Sequence, residues 1–324
     1  MVKAIRIHKN GPPSAMKWEE VELGKPGKGE ARIRHTAVGL NFIDTYHRSG
    51  LYKLPMPLIL GMEGAGVVEA VGRGVTGLKP GDRVAYATTP LGSYSEARLI
   101  PADRLVKVPS AITDEQAASM MLKGMTACYL LRRTYRVQKG DTVLIHAAAG
   151  GVGLIACQWA KHLGATVIGT VGSPAKAKLA RAHGCDYPID YSKEDFVARV
   201  KKITRGKGVP VVYDSVGKTT MEGSLDCLAP RGMMVSFGNA SGPPPPVSPL
   251  TLGAKGSLFL TRPSLPSYIA TRKELDSIAR ELFSVVKSGA VKIEINQRYA
   301  LRDAAKAHRD LEARKTTGST VLIP

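Results

Sequence analysis

The segment from residue 141 to 176 constrains the fold of this chain more than any other stretch. It reads DTVLIHAAAGGVGLIACQWAKHLGATVIGTVGSPAK. Residues 142–147 form a short apolar run, which is typical of a strand buried on both faces. Glycines follow, and a helical spacing of apolar residues then continues to Gly164, which is placed to end a helix. Residues 166–171 predict a second buried strand, so the segment matches half of a mononucleotide-binding unit.

The glycines of this turn indicate what the segment binds. A pyrophosphate can lie against a helix N-terminus only where no Cβ holds the backbone away from it. The spacing here is Ala148-x-Gly150-x-x-Gly153, so alanine replaces the first glycine of the G-x-G-x-x-G pattern. The position between a strand and a helix is the context that this motif requires. A dinucleotide site is therefore predicted, and a glycine turn that only packs the helix on the sheet is the alternative.

The end of the second strand decides between the two nicotinamide dinucleotides. NAD-binding proteins usually carry an acidic residue there, which holds the ribose 2′-hydroxyl. Residues 172–178 read GSPAKAK and contain no acid. Because a hydroxyl and lysines accommodate a 2′-phosphate that a carboxylate would repel, we predict NADPH as the cofactor. The alternative is that Lys176 and Lys178 lie on a solvated helix face.

The size and charge of the chain set further limits. With 324 residues, two domains, or one domain split by an insertion, are expected. The formal net charge of +19 suggests anionic ligands or acidic partners. Lysines and arginines are spread along the chain without a long run of like charges, which argues against a dedicated nucleic-acid-binding tail.

Cysteine usage and hydropathy predict a cytoplasmic protein that has no metal site and does not cross a membrane. The cysteines are far apart, form no C-x-x-C pair and lack histidines at zinc spacing, so reduced and mostly buried thiols are expected. The N-terminus has no apolar core like that of a signal peptide, and no apolar run reaches about 18 residues. A reducing, cytoplasmic habitat follows from these features.

The first third of the chain predicts a compact, mostly antiparallel β domain. Residues 2–122 read as strands broken by turn residues. The candidate strands are 5–8, 30–36, 64–71 and 83–87. A helix is predicted at 113–133, where Thr113 and Gln116 form a capping box.

Strands and helices alternate through the rest of the chain, as expected for a parallel sheet. Further strands are predicted at 186–191, 209–214, 233–237, 257–261, 293–299 and 319–323, and helices at 193–203, 221–227 and 273–288. The last two strands are expected to return to the first domain and close it. Ligands of such sheets lie beyond the carboxyl ends of the strands. The residues expected at the carboxyl ends of these strands, next to the cofactor, are Asp214, Ser215, Val216, Phe237, Gly238 and Asn239.

The chain resembles the zinc-independent quinone oxidoreductases of the medium-chain dehydrogenase/reductase superfamily, near the bacterial NADPH:quinone reductases and zeta-crystallin. The likeness spans the full length and is most specific in NFIDTYHRSGLY (41–52), HAAAGGVGLIACQWAK (146–161), VVYDSVG (211–217), MVSFGNASG (234–242) and LTRPSL (260–265). It implies an α/β fold with a Rossmann doubly wound parallel sheet and a GroES-like, mostly antiparallel β catalytic domain. The implied boundaries are 1–123 for the catalytic domain, 124–266 for the NADPH-binding domain and 267–324 for a return segment that completes the catalytic domain.

The resemblance also implies the residues of the site. Those expected to bind the cofactor are Asn41, Lys123, Thr126, Ala149, Gly151, Val152, Gly153, Gly172, Ser173, Lys176, Tyr191, Ser215, Phe237, Gly238, Ser241, Arg262 and Arg314. Those expected on the catalytic, substrate-facing side are Asn41, Asp44, Tyr46 and Tyr52. His146 is expected to be a structural histidine with satisfied hydrogen bonds, and His47 is expected to point to solvent. Asn239-Ala240-Ser241 departs from the small polar run of relatives, so Ser241 is preferred to position 240.

Two positions argue against zinc. Zinc-dependent relatives carry a cysteine where this chain has Asn41 and a histidine where it has Met62, and their cysteine-rich lobe near residues 90–110 contains no cysteine here. Asparagine and methionine do not replace thiolate and imidazole around zinc. A quinone is a strong electron acceptor and needs no Lewis acid, so the predicted reaction is metal-free transfer of reducing equivalents from nicotinamide to a stacked quinone, with Tyr46, Tyr52 or water as proton donor.

Two other functions stay open. The same architecture supports NADPH-dependent reduction of activated C=C bonds in enones and alkenals. The positive charge and the likeness to zeta-crystallin allow a secondary RNA-binding role, which would be incidental if the affinity vanished between about 50 and 200 mM salt. The resemblance also implies a homodimer, formed through the edge strand near residues 257–261.

Overall fold

A computed structural model describes residues 1–324. The strands are β1 (Val2–Ile7), β2 (Lys17–Val21), β3 (Glu30–Leu40), β4 (Leu58–Ile59), β5 (Glu63–Val71), β6 (Arg83–Ala87), β7 (Ala97–Pro101), β8 (Val106–Lys107), β9 (Thr142–Ile145), β10 (Thr166–Val171), β11 (Tyr187–Asp190), β12 (Val209–Asp214), β13 (Leu228–Ser236), β14 (Phe259–Thr261), β15 (Ile295–Ala300) and β16 (Ser319–Ile323). The α-helices are α1 (Phe42–Ser49), α2 (Asp114–Tyr129), α3 (Gly151–His162), α4 (Pro174–Ala182), α5 (Phe196–Ile203), α6 (Met221–Asp226), α7 (Pro249–Ala254), α8 (Leu265–Tyr268), α9 (Arg272–Lys287) and α10 (Ala304–Glu312). A π-helical turn at Leu130–Thr134 follows α2, and no helix is long and apolar enough to cross a membrane.

The chain divides into two compact units. Unit 1 contains Met1–Met125, Ile269–Phe283 and Ile293–Pro324, and unit 2 contains Thr126–Tyr268 and Ser284–Lys292. The domain boundaries drawn from the sequence stay a prediction.

Unit 1 is built on a seven-stranded sheet in the order β15-β16-β3-β5-β6-β8, with β7 paired to β3, and on a three-stranded sheet in the order β2-β1-β4. Every pairing is antiparallel except that of β15 with β16. The alternation in β3 explains its register, because Ala31 and Ile33 are fully buried while Arg32 and Arg34 face Glu69 on the other side. The C-terminal strand β16 pairs with β3, so the chain end completes this sheet.

Unit 2 is a six-stranded parallel sheet in the order β11-β10-β9-β12-β13-β14. This is the doubly wound order, in which the direction of winding reverses between β9 and β12. Its core contains fully buried Leu144, Ile168 and Val212 from the three central strands. Gly164 ends the region of α3 with a φ of 86°, which favours glycine because it has no Cβ. The predicted fold class is confirmed.

Several elements differ from the sequence-based expectation. The strand predicted at 142–147 ends at Ile145, because Ala147 turns the backbone with a φ of 53°. Helices α1 and α10 lie where only strands or no element were predicted. Helix α1 is eight residues long, and its signals are local caps rather than periodicity: Asn41 precedes it, Asp44 lies in its first turn, and Gly50 follows it with a φ of 85°.

Candidate functional site

The first turn of α3 forms a tight backbone cradle. A Cβ on Gly153 would lie 2.3 Å from the carbonyl oxygen of Ala147 and 2.8 Å from Cα of Ala148, so only glycine allows this approach. No side chain caps the helix, and its first turn holds no acidic residue. The N–H groups of the first turn have no partner within the helix and carry the positive end of its dipole. These features fit a bound pyrophosphate at residues 149–153.

The end of β10 fits a phosphorylated ribose. A Cβ on Gly172 would lie 2.5 Å from the hydroxyl oxygen of Tyr191, so that tyrosine lies directly against the strand end. Ser173 caps α4 by accepting a hydrogen bond from the N–H of Lys176 at 3.3 Å. The first turn of α4 contains no acidic residue. The structure therefore brings together the four residues predicted to hold the 2′-phosphate and adenine end of the cofactor.

The carboxyl ends of β12 and β13 bring a second group of predicted residues together. A Cβ on Gly238 would lie 2.5 Å from the carbonyl oxygen of Ser215, which requires glycine at this position. Ser241 is held within the same loop, since its hydroxyl donates to the carbonyl oxygen of Val216 at 2.9 Å and accepts from the N–H of Thr219 at 3.1 Å. A direct contact of Ser241 with the cofactor stays a prediction.

Beside these loops, Arg262 donates to the carbonyl oxygen of Ser236 at 2.8 Å. The hydroxyl of Ser236 is buried and has no partner within the protein. An orphaned polar group of this kind at a strand end fits a ligand that would supply the missing hydrogen bond.

His146 has a structural role, as predicted. Its Nδ1 lies 2.8 Å from the hydroxyl of Thr170 and its Nε2 lies 2.9 Å from the hydroxyl of Ser224. Ser224 in turn donates to Asp214 at 3.0 Å. Burial lowers the pKa of His146, against the attraction of the Asp214 carboxylate. The imidazole is therefore neutral, and both of its ring nitrogens are hydrogen-bonded.

In unit 1, the residues predicted to face the substrate lie on α1, which carries Asp44 and Tyr46, and on the segments next to it, which carry Asn41 and Tyr52. The ring of Tyr46 meets the ring of Tyr52 edge-on, with centroids 5.3 Å apart. The backbone N–H of Asn41 donates to Oδ2 of Asp44 at 2.9 Å. Asp44 is fully buried, and burial raises its pKa to about 7. The expectation that His47 points to solvent is wrong: packing leaves it 6% exposed, and desolvation lowers its pKa to about 4.

Glu63 is a site residue that the sequence reasoning missed. Its carboxylate is fully buried and accepts from Nδ2 of Asn41 at 2.8 Å, from the N–H of Leu122 at 2.8 Å and from Nζ of Lys123 at 3.4 Å. Lys123 also donates to the carbonyl oxygen of Leu40 at 3.1 Å. Glu63 thus fixes two predicted site residues, Asn41 and Lys123. The signal in the sequence was an acid on a strand that otherwise reads as buried.

Two more predicted residues are Thr126 and Arg314. Thr126 is buried at the start of unit 2, and Arg314 is exposed just after α10 with a φ of 60°. No three His, Cys, Asp or Glu side chains lie close enough together to hold a metal ion. All four cysteines are free and buried, as expected.

Comparison with known proteins gives the class. Residues 27–110 match the model of the alcohol dehydrogenase GroES-like domain, and residues 151–274 match that of the zinc-binding dehydrogenases. A GroES-like domain joined to a Rossmann domain defines the medium-chain dehydrogenase/reductase class of oxidoreductases.

Individual relatives narrow this class. The chain is 57% identical to a quinone oxidoreductase of Pseudomonas aeruginosa and 51% identical to a 2-haloacrylate reductase of a Burkholderia species, covering 100% of this chain in both cases and 100% and 99% of those proteins. The crystal structure of the Escherichia coli quinone oxidoreductase complexed with NADPH superposes with a TM-score of 0.98 at 52% identity, covering 99% of this chain and 100% of that one. The chain belongs to the quinone oxidoreductase family of the medium-chain dehydrogenase/reductase superfamily, and it is an oxidoreductase.

Proposed function

We propose that this protein reduces quinones with NADPH and without a metal ion. The observation that carries the proposal is the end of β10, where Ser173 and Lys176 face no acid in the first turn of α4. This end stands beside a glycine cradle that fits a pyrophosphate. The chain also covers the full length of relatives named quinone oxidoreductase. The residues at the positions that bind zinc in zinc-dependent relatives support metal-free chemistry. Asn41 donates a hydrogen bond from its side-chain amide to Glu63, and Met62 offers only a thioether.

The residues have distinct tasks in this reaction. NADPH, when bound, supplies the reducing equivalents. Residues 149–153 hold the pyrophosphate through backbone N–H groups, while Ser173, Lys176 and Tyr191 hold the 2′-phosphate end. Tyr46 and Tyr52 donate hydrogen bonds to the oxygen of the acceptor, whose proton comes from one of these hydroxyl groups or from water. The main contribution of the protein is orientation, since holding reacting groups in contact replaces an entropic cost of association.

Parallel titration with NADPH and NADH tests the cofactor assignment. We expect NADPH to bind more tightly and to support turnover with 1,4-benzoquinone. Tight binding of NADH together with indifference to NADPH, or zinc bound stoichiometrically to the purified protein, would contradict the proposal.

Reversing the charge at position 176 should change cofactor preference. We expect Lys176→Glu to raise the Kd for NADPH about 10-fold or more, which corresponds to about 1.4 kcal/mol, because a carboxylate repels the 2′-phosphate. The Kd for NADH should change little. Lys178→Glu makes the same charge change at an exposed position of α4 and is the matched control. Equal effects of the two substitutions on NADPH would mean that Lys176 acts only through overall charge.

Reduction of an activated C=C bond is the second candidate. It is favoured by the relative named 2-haloacrylate reductase, which is 51% identical over this whole chain. Steady-state rates on 1,4-benzoquinone and on an alkenal separate the two substrates. A higher kcat/KM for the alkenal would make the C=C bond the preferred acceptor.

We also propose a homodimer formed through β14. This strand ends the parallel sheet of unit 2, and its Phe259 and Leu260 are 58% and 39% exposed. Unpaired edge strands with apolar side chains favour pairing with another chain, and lysine on an edge opposes it. We expect Phe259→Lys to shift the protein from dimer to monomer in sedimentation velocity. Leu250→Lys, at a position that is 84% exposed outside any strand, should leave the dimer intact. A monomeric wild type would end this proposal.

The cytoplasmic location also stays a proposal, supported by four free cysteines of the kind found in reducing compartments. The secondary RNA-binding role stays a prediction.

A further inference from the structure

Helix α1 carries two buried polar atoms that have no partner within the protein. They are Oδ1 of Asp44 and Nδ1 of His47. The two residues are 0% and 6% exposed, respectively. Since residues three apart lie on the same face of a helix, both atoms belong to one side of α1. Buried polar groups are nearly always paired with protein or ordered water, so each of these two atoms calls for a partner that the protein itself does not supply.

The other oxygen of Asp44 is held by a chain of hydrogen bonds whose direction can be assigned. Arg48 only donates, and it lies 2.9 Å from Nδ1 of His308. Nδ1 of His308 is therefore the acceptor, and the ring proton is on Nε2. Nε2 donates to the hydroxyl of Tyr94 at 3.1 Å, so that hydroxyl donates to Oδ2 of Asp44 at 3.0 Å. Glu312 holds Arg48, the first residue of this series of hydrogen bonds, through a 2.6 Å ion pair.

The protonation of His308 agrees with this direction. Burial, together with the nearby positive charge of Arg48, lowers the pKa of His308 to about 3. The imidazole is therefore neutral at physiological pH, with one donor and one acceptor nitrogen.

The hydrogen bonds to Asp44 leave only one of its oxygens free to carry a proton. Its Oδ2 accepts two hydrogen bonds, one from the N–H of Asn41 and one from Tyr94. A proton bound to the carboxyl group must therefore sit on Oδ1, the oxygen that has no protein partner. When Asp44 is protonated, its proton is therefore on the side away from Asn41 and Tyr94.

The groups around Asp44 set its affinity for that proton. Burial above all, with a smaller contribution from the negative Glu63, raises the pKa of Asp44 to about 7. The hydrogen bonds from Asn41 and Tyr94 and the positive Lys123 act in the opposite direction. Tyr94 and, behind it, His308 on α10 approach Asp44 from other elements, and Tyr46, His47 and Arg48 are the further titratable or charged groups of α1 itself. A pKa near the working pH is the value that general acid catalysis requires.

We propose that Asp44 supplies a proton to the reduced substrate through a buried water molecule held between its Oδ1 and Nδ1 of His47, with Tyr94, His308 and Arg48 as positioning residues. The inference rests on the proposed function. Reduction of a quinone to a hydroquinone takes two electrons and two protons, of which NADPH supplies two electrons and one proton. The O–H bond of Asp44 breaks, its electron pair stays on the carboxylate, and the water passes a proton to the acceptor oxygen. Solvent then reprotonates the carboxylate.

The first test needs neither cofactor nor turnover. In infrared spectra of the cofactor-free protein, the carbonyl band of a neutral carboxylic acid should persist above pH 6 and disappear as the pH rises through about 7. Asp44→Asn, which keeps an oxygen for Asn41 and Tyr94, should lack this band. Tyr94→Phe should move its loss to higher pH, because the carboxylate loses a stabilising hydrogen bond. Tyr86→Phe is the control, since this equally buried hydroxyl bonds His35 at 2.8 Å instead.

The second test follows turnover. With 1,4-benzoquinone, kcat of the wild type should fall above about pH 7. Asp44→Asn should lower kcat about 100-fold and remove this pH dependence, while the Kd for NADPH stays the same. Absence of the infrared band in the wild type, or an unchanged pH profile in Asp44→Asn, would overturn the inference. A wild type that shows the band but does not reduce quinones would instead overturn the proposed function, because the acid would exist without that reaction.

Discussion

Gly153→Ala is expected to abolish tight NADPH binding. The added Cβ would lie 2.3 Å from the carbonyl oxygen of Ala147, a distance that real contacts do not reach. The clashing atoms belong to the backbone, so no side chain can rotate away. Relief requires the loop at Ala147 and Ala148 to move away from the first turn of α3, which is the part of the chain that we propose to hold the pyrophosphate. We expect the Kd for NADPH to rise at least about 100-fold, which corresponds to about 2.7 kcal/mol.

Two other glycines calibrate this effect. A Cβ on Gly150 would lie 3.1 Å from the carbonyl oxygen of Ala147, so Gly150→Ala should weaken binding less than Gly153→Ala. A Cβ on Gly253 in α7 would meet nothing within 4 Å, so Gly253→Ala should leave binding unchanged and should slightly favour the helix. Calorimetric titration with NADPH measures all three variants. Wild-type affinity in Gly153→Ala would mean that the cradle is not the pyrophosphate site.

Glu63→Gln should destabilise the protein by about 3–5 kcal/mol, as expected when a buried ion pair loses one partner. Glu63 accepts hydrogen bonds from three donors, on Asn41, Leu122 and Lys123. Glutamine offers only one oxygen, so its amide nitrogen must face a donor. The positive charge of Lys123, whose side chain is only 8% exposed, would also lose its counter-ion. Denaturant unfolding measures the loss in the free energy of unfolding.

A second substitution separates the charge effect from the lost hydrogen bonds. Adding Lys123→Met to Glu63→Gln removes the unpaired cation, so part of the lost stability should return. Glu96→Gln is the matched control, because Glu96 accepts from the backbone N–H of Lys3 at 2.8 Å and pairs with no buried cation. An equal loss of stability in Glu96→Gln and Glu63→Gln would show that the ion pair with Lys123 contributes little.

Features that depend on neighbouring residues could be predicted from the sequence. Strands β10, β12 and β16 begin and end where the apolar runs do. The capping box of Thr113 and Gln116 is present, with hydrogen bonds of 3.0 and 3.1 Å in both directions. These signals are short-range, because a strand or a cap is specified within a few residues.

The site of unit 1 was harder to predict. Helix α1 was missed because its eight residues give too short a window for helical periodicity, and its caps are the only local signal. The role of Glu63 depends on Lys123, which is 60 residues away in the sequence. The series of hydrogen bonds that holds Asp44 depends on His308, which is 214 residues away from Tyr94 in the sequence. No local sequence pattern indicates contacts between residues so far apart in the sequence.

The sequence by itself determined the dinucleotide-binding unit, the missing acid at the end of β10 and the family. Each of these is written in residues that are adjacent or at fixed spacing, and backbone geometry translates them directly into structure. Only the tertiary structure decided that His47 is buried, that Glu63 holds Asn41 and Lys123, and that Asp44 keeps one oxygen without a partner. Burial and hydrogen-bond partners depend on how distant segments pack, and packing sets the electrostatic cost of each charge and therefore its chemistry.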